Sequence, residues 1–124
     1  MTDHLLQKDG KTYAGTHLIV DLWEAANLDD PAMLEQALRD ATRATGATLL
    51  HLHVHRFQPQ GVTGIAVLAE SHISCHTWPE IGYAAFDLFM CGDADPHAAI
   101  PILKTAYQTD RAHTRTLLRG EHTP

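Results

Sequence analysis

The chain is short of the features that mark several large function classes. It carries nine Lys and Arg against fifteen Asp and Glu, a net charge of -6 at pH 7 with His neutral. The basic footprint with which nucleic-acid binders neutralise phosphates is missing, so no nucleic-acid partner is expected. No apolar run is long enough for a signal peptide or a membrane span. The expected setting is therefore cytoplasmic, with no membrane partner. Cysteine is scarce: Cys75 and Cys91 are the two. Two isolated thiols in a cytosolic chain point to a reactive or a buried residue rather than to a disulfide. No repeat, low-complexity tract or linker divides the 124 residues, a length that suits one domain over 1–124 with one core. What is plentiful is histidine, ten residues in all, which raises the question of metal.

Met1–Gly15 reads as a loose polar arm with a turn at Lys8-Asp9-Gly10-Lys11. Thr16–Trp23 reads as a strand, with Leu18, Val20 and Leu22 on one face and His17, Ile19, Asp21 and Trp23 on the other. Asp29-Asp30-Pro31 opens a helix, because an Asp caps the first N–H groups and Pro has none to leave unpaired. Leu34, Ala37, Leu38 and Ala41 form its apolar stripe, and Gly46 ends it. Thr48–Phe57 is a second strand that sets Leu50, Leu52 and Val54 against His51, His53 and His55. After a turn at Pro59-Gln60-Gly61, Val62–Ala69 returns as its hairpin partner, apolar enough to suggest burial on both faces. His72–Trp78 and Tyr83–Cys91 are strands either side of a turn at 79–82. A second helix follows Asp95-Pro96, with Ile100, Leu103 and Tyr107 inward and Pro101 expected to kink or shorten it. Arg111–Leu118 is a last strand, and Arg119–Pro124 a polar tail. Single helices between runs of strands give an α+β domain with helices on one face of a largely antiparallel sheet. The other face alternates too weakly to be plain solvent surface, which predicts a dimer burying sheet against sheet.

Between two of these strands, Glu70 to Glu80 crowds two acids, two serines, two histidines, a thiol and an indole into eleven residues. Ser71, with Glu70 before it and His72 and His76 after it, is a candidate nucleophile with an imidazole to move protons. A strand-end serine without chemistry has the same spacing, and no Gly-x-Ser-x-Gly elbow is present. His51, His53 and His55 share one strand face and could in principle bind a divalent ion. They alternate along a strand without converging, so they are read as a polar or interface-facing surface, and no metal is assigned. Cys91, beside Gly92, suits either an acid or a small buried residue; Cys75 suits burial. Phe57, Trp78 and Glu80 could finish a core, or hold a flat ring and a sugar hydroxyl.

Three blocks carry a resemblance: HRFQPQGVTG at His55–Gly64, AESHISCHTWPE at Ala69–Glu80 and GYAAFDLFMCG at Gly82–Gly92. Together they resemble the small prokaryotic pyruvoyl-dependent S-adenosylmethionine decarboxylases, from about Thr16 to Arg119. The resemblance implies that Ser71 attacks the carbonyl of Glu70 and that the chain cuts itself there. A β chain of 1–70 and an α chain of 71–124 would result, the latter opening with a covalent pyruvoyl group made from Ser71. By the same resemblance His76 assists the elimination, Thr63 supports processing and Cys91 protonates the substrate carbon after carbon dioxide leaves. Phe57 would stack on adenine and Glu80 would hold the ribose hydroxyls. The pyruvoyl carbonyl would form a Schiff base with the amine of S-adenosylmethionine, in a pathway to spermidine. The implied fold is a two-layer α/β sandwich, a homodimer of αβ protomers with active sites near the interface. Two segments depart from the family pattern, Trp23–Asn27 and Cys75. A relative that takes ornithine or arginine, and a non-catalytic metal-binding relative, are the alternatives.

Overall fold

The structure, a computed structural model, describes residues 5–122. Met1–His4, the start of the expected arm, and Thr123–Pro124, the end of the expected tail, lie outside the described residues. The elements run β1 (Leu6–Lys8), β2 (Lys11–Tyr13), β3 (Gly15–Leu22), α1 (Pro31–Thr45), β4 (Leu49–Arg56), β5 (Val62–Leu68), β6 (Ser71–Trp78), β7 (Tyr83–Met90), α2 (Ala99–Ala106) and β8 (Ala112–Arg119). Short 3-10 turns at Pro79–Ile81 and Pro96–Ala98 precede β7 and α2.

Six strands form one antiparallel sheet in the order β4-β5-β6-β7-β3-β8. Both helices lie on one side of it, so the architecture is the expected α+β layer pair. α1 starts where the sequence places it. The Asp30 carboxylate accepts the Met33 N–H at 3.2 Å and Pro31 is the first helical residue. Gly46, at φ 83°, ends it in the left-handed conformation that a side chain resists. Leu34, Ala37, Leu38 and Ala41 are buried against the sheet, and each leucine contributes about 2 kcal/mol by burial. The approach is tight at Gly64 of β5, where a Cβ would stand 2.8 Å from a Leu34 methyl carbon. Leu18, Val20 and Leu22 of β3, Ile73 and Cys75 of β6, and Phe86 and Leu88 of β7 complete the floor of this core.

Several expectations need correction. The N-terminal arm is not loose in its described part: β1 and β2 form a hairpin around the 8–11 turn, and Lys11 reaches Glu121 at 3.6 Å. His122 bridges to Thr12, so the C-terminal segment is tied to that hairpin. Leu50 does not share a face with Leu52 and Val54. A register shift between Leu49 and His51 turns it outward, 64% exposed, and Leu49 packs on the core instead. β5 is not buried on both faces. Val62, Ala66 and Leu68 face the helices, while Ile65 and Val67 are each 39% exposed on the open side. Of the two effects expected of Pro101, the kink is not seen and the shortening is: the α-helix begins only at Ala99, after the 3-10 turn, so that Pro101 lies in its first turn, where its missing N–H displaces no mid-helix bond. Ala99, Leu103 and Tyr107 are the fully buried residues of this segment and Ile100 is only partly buried.

The open face is organised in rows by the register. His55, Thr63, His76 and Ala85 lie side by side across β4, β5, β6 and β7. His51, Val67, His72, Phe89, His17 and Leu117 form a parallel row nearer the other end. The face is apolar in patches and also holds a His17–Asp87 contact of 3.0 Å. Among the described residues no helix is long and apolar enough to cross a membrane.

Candidate active site

Leu68 and Ser71 pair across a two-residue turn, Ala69-Glu70, which joins β5 to β6. Glu70 sits there with φ at 63°, a left-handed conformation that costs a residue with a Cβ about 1–2 kcal/mol. Cys91, just beyond β7, reaches back to this turn. Its backbone N–H donates to Ser71 Oγ at 3.3 Å, and its thiol donates to the Glu70 carbonyl oxygen at 2.8 Å. The peptide between Glu70 and Ser71 therefore follows a left-handed turn residue, has a hydroxyl beside it and has an S–H on its carbonyl. Partial burial pushes the Cys91 thiol up; the Ser71 contact opposes this and the Glu70 charge adds to it. The thiol thus keeps its proton at neutral pH. An adjoining cavity of about 440 Å³ is lined by Ala47, Thr48, Ala69, Ser71, Cys91 and Asp93, among others.

The other half of the expected set is elsewhere. Thr63 Oγ1 and His76 Nδ1 are hydrogen-bonded at 2.9 Å, as neighbours in the cross-strand row. With Phe57, Gln60, Trp78 and Glu80 they line a cavity of about 270 Å³ at the far end of β6. Glu80 is carried there by the 3-10 turn at Pro79–Ile81, and Phe57 by the end of β4. The His55 ring meets Phe57 edge-on, with centroids 4.6 Å apart. Trp78 stacks on Tyr83 at 5.1 Å, and Tyr83 on Trp23 at 4.4 Å. The Tyr83 hydroxyl donates to Asp21 at 2.5 Å, and its pKa is pushed up to about 12, by burial first and then by that carboxylate.

His76 and Ser71 are five residues apart on β6, about 16 Å along the strand, and point to opposite faces. The structure thus brings Glu70, Ser71 and Cys91 together at one end and Phe57, Thr63, His76 and Glu80 at the other. It does not bring the imidazole of His76 to Ser71 within one chain, and His72 turns to Phe89 instead, with ring centroids 6.2 Å apart. Cys75 is fully buried, and burial pushes its thiol well up. His51, His53 and His55 stay spread along β4. Among the described residues no group of three or more His, Cys, Asp and Glu side chains is placed to hold a metal ion.

Two supports of the far cavity, one lining it and one behind its wall, went unread in the sequence. Thr77, 7% exposed, accepts the Val62 N–H at 2.8 Å and donates to the Leu28 carbonyl at 2.7 Å. Asp29 holds Arg56 at 2.7 Å and the Gly61 N–H at 2.9 Å. The doubled Asp29-Asp30 was the available signal, since only one Asp can cap the helix.

Residues 16–120 match the family model for S-adenosylmethionine decarboxylase. The chain belongs to the S-adenosylmethionine decarboxylase family. It is 56% identical over 95 residues to the S-adenosylmethionine decarboxylase proenzyme of Methanococcus aeolicus, covering 74% of this chain and 81% of that one. Identity to the corresponding proenzyme of Thermomicrobium roseum is 49% over 108 residues, 86% of this chain and 93% of the relative. The crystal structure of the adenosylmethionine decarboxylase from Aquifex aeolicus superposes with a TM-score of 0.78 at 33% identity, over 87% of this chain and 92% of that one. Family membership therefore rests on sequence and fold together, and the match spans both halves of the site.

Proposed function

We propose that the chain is a self-cleaving decarboxylase of S-adenosylmethionine, active as a homodimer. The observation that carries this is the contact of the Cys91 thiol with the Glu70 carbonyl, beside Ser71 Oγ, at a turn strained at Glu70. An S–H aimed at that oxygen polarises the carbonyl and stabilises the charge that grows there when Ser71 Oγ attacks the carbon. The Ser71 hydroxyl proton passes to the departing amide nitrogen as the C–N bond breaks and an ester forms. Loss of the Ser71 Cα proton then expels the Glu70 carboxylate. Water hydrolyses the resulting dehydroalanine, ammonia leaves, and the 71–124 chain opens with a pyruvoyl group. The turn suits that group: its residue is the first of β6, and its neighbour Cys91 is a protonated acid.

Once formed, the group supplies an electron sink for the carbanion left by decarboxylation, the work a pyridoxal cofactor does elsewhere. Cys91, holding its proton, is placed to return one to the substrate carbon. Phe57 and Trp78 offer ring faces for adenine and for the cationic sulfonium, and Glu80 an acceptor for ribose hydroxyls. His76, oriented by Thr63, is the base that takes the Cα proton.

That last role requires a second copy, because His76 lies about 16 Å from Ser71 in its own chain. The open sheet face offers the means. Ile65, Val67, Trp78 and Leu117 are 39–40% exposed there, a surface that sheet-on-sheet packing would cover. A two-fold axis near the middle of β6 would lay the Ser71/Cys91 end of one copy by the Thr63/His76 end of the other, where the imidazole would meet the Cα hydrogen at the strand end and not the hydroxyl, which lies on the helix side.

The test joins intact mass under denaturing conditions to carbon dioxide release. Two fragments meeting at Glu70/Ser71, with release from carboxyl-labelled S-adenosylmethionine, are expected. Release from ornithine or arginine alone would overturn the substrate, and an uncut inactive chain would overturn the mechanism.

A further inference from the structure

The turn between β4 and β5 forms one wall of the far cavity, and it is held from outside by a single carboxylate. Phe57 N–H donates to the Gly61 carbonyl at 2.8 Å, which closes residues 57–61 into a loop. Asp29, in the segment between β3 and α1, takes both ends of that loop at once. Its Oδ2 accepts Arg56 Nη2 at 2.7 Å and its Oδ1 accepts the Gly61 N–H at 2.9 Å. Arg56 also leans inside the loop to the Pro59 carbonyl at 3.4 Å. Arg56 is bonded directly to Phe57 in the chain, so the position of its guanidinium sets where the phenyl ring begins. One residue back, the Leu28 carbonyl is fixed by the buried Thr77 hydroxyl, which also accepts the Val62 N–H. The Asp29 backbone is therefore anchored to β6, and its side chain carries that anchorage across to the loop.

We infer that Asp29 is a positioning residue for substrate recognition, fixing the Phe57 loop against β6 so that the ring is preset to receive a flat nucleobase. The inference rests on reading the 57–80 cavity as the nucleoside half of the site. Asp29 touches no substrate itself. Its task is to keep the loop from wandering before binding, so that the ordering is not left to be done by the ligand. A carboxylate suits this better than a neutral acceptor, since it holds a guanidinium and a backbone N–H together with one rigid group. The same two contacts, Arg56 first and Gly61 second, keep the Asp29 carboxyl below the usual carboxylate range. The loop therefore stays clamped through neutral and mildly acidic pH.

The experiment uses the full chain with Asp29→Ala and Asp29→Asn, and Asp40→Ala on the exposed side of α1 as the control. Self-cleavage is followed by mass, kcat and KM by carbon dioxide release, and binding of the unreactive nucleoside 5′-deoxy-5′-methylthioadenosine by calorimetry. Cleavage and kcat are expected near parental. KM and the nucleoside Kd are expected to rise about three- to tenfold in Asp29→Ala, and less in Asp29→Asn. The control should move neither. Parental Kd in Asp29→Ala, or a fall in kcat and Tm with KM unchanged, overturns the inference. A parental protein that binds no nucleoside overturns the underlying reading instead. Should Asp29→Ala fail to fold, Arg56→Gln breaks the same clamp from its other end and is read by the same rise or constancy in Kd.

Discussion

The Cys91 thiol donates to the Glu70 carbonyl oxygen at 2.8 Å, across twenty-one positions of sequence. One side chain is thereby placed both on the bond expected to break and at the start of the chain that the break would create. Replacing it should affect two events with different severity. In Cys91→Ala, self-cleavage is expected to slow, because Ser71 keeps the backbone N–H of residue 91 but the carbonyl loses its donor. Carbon dioxide release is expected to fall by about 10²-fold or more, the usual contribution of a positioned acid. Timed mass spectrometry and single-turnover release separate the two.

The thiol's own titration can be read in a chain that cannot cut itself. Burial raises the Cys91 pKa and the Glu70 charge raises it further. Replacing Ser71 by Ala removes the contact that opposes these. In Ser71→Ala, alkylation of Cys91 by iodoacetamide should be slow at neutral pH and should climb as pH passes a midpoint above that of a free thiol. The sign follows from the thiolate being the reactive form. Cys75, fully buried, should stay unmodified throughout, which peptide mapping checks.

Complementation tests the proposal that two copies share a site. Ser71→Ala and His76→Ala chains should each stay uncut when made alone. Co-expressed, about half the dimers are mixed, and each mixed dimer has one site with both residues intact. About a quarter of the parental cleaved chain is expected, all of it from the His76→Ala partner, which the mass difference identifies. No cleavage in the mixture would place both residues in one chain's site.

Thr63 gives a finer probe. Its hydroxyl is paired with His76 Nδ1 at 2.9 Å. Thr63→Ala should slow self-cleavage about tenfold or more, by freeing the ring to turn, while Thr63→Ser should restore it. Gel densitometry over time is enough to see the difference.

The helix–sheet seam gives a stability prediction. Gly64→Ala places a methyl 2.8 Å from a Leu34 carbon and 3.1 Å from a Leu38 carbon. Overpacking of this kind costs about 1–3 kcal/mol. Thermal unfolding of Gly64→Ala in the Ser71→Ala background should show it as a lower Tm.

Much of the architecture was legible in the sequence, because local chemistry set it. Asp30, Pro31 and Gly46 mark α1 by capping rules that need no tertiary partner, and the alternation of Leu18, Val20 and Leu22 marks β3 equally well. The misreadings came where distant parts decide. Leu50 turns outward through a register shift that only pairing with β5 reveals. Ile65 and Val67 look like core residues, yet they lie on a face that a single chain leaves open. The site divided in the same way. Glu70, Ser71 and Cys91 meet at one turn. His76 was near Ser71 in number only, since an odd step along a strand sends a side chain to the opposite face.

The strand order carries a consequence for the chain after a break at the β5–β6 turn. β3 and β5 belong to the piece before the break, and β6, β7 and β8 to the piece after it. Yet β3 lies between β7 and β8, while β5 borders β6. The two pieces are woven, with three antiparallel seams between them, and they should remain together without any covalent link. Unfolding changes character all the same. An uncut chain can return to its fold in a first-order process. Two separated strangers must first find each other, so recovery becomes dependent on concentration and the protein's durability becomes a matter of how slowly it comes apart. Such a cut would act as a ratchet: the fold reached as one chain and kept as two.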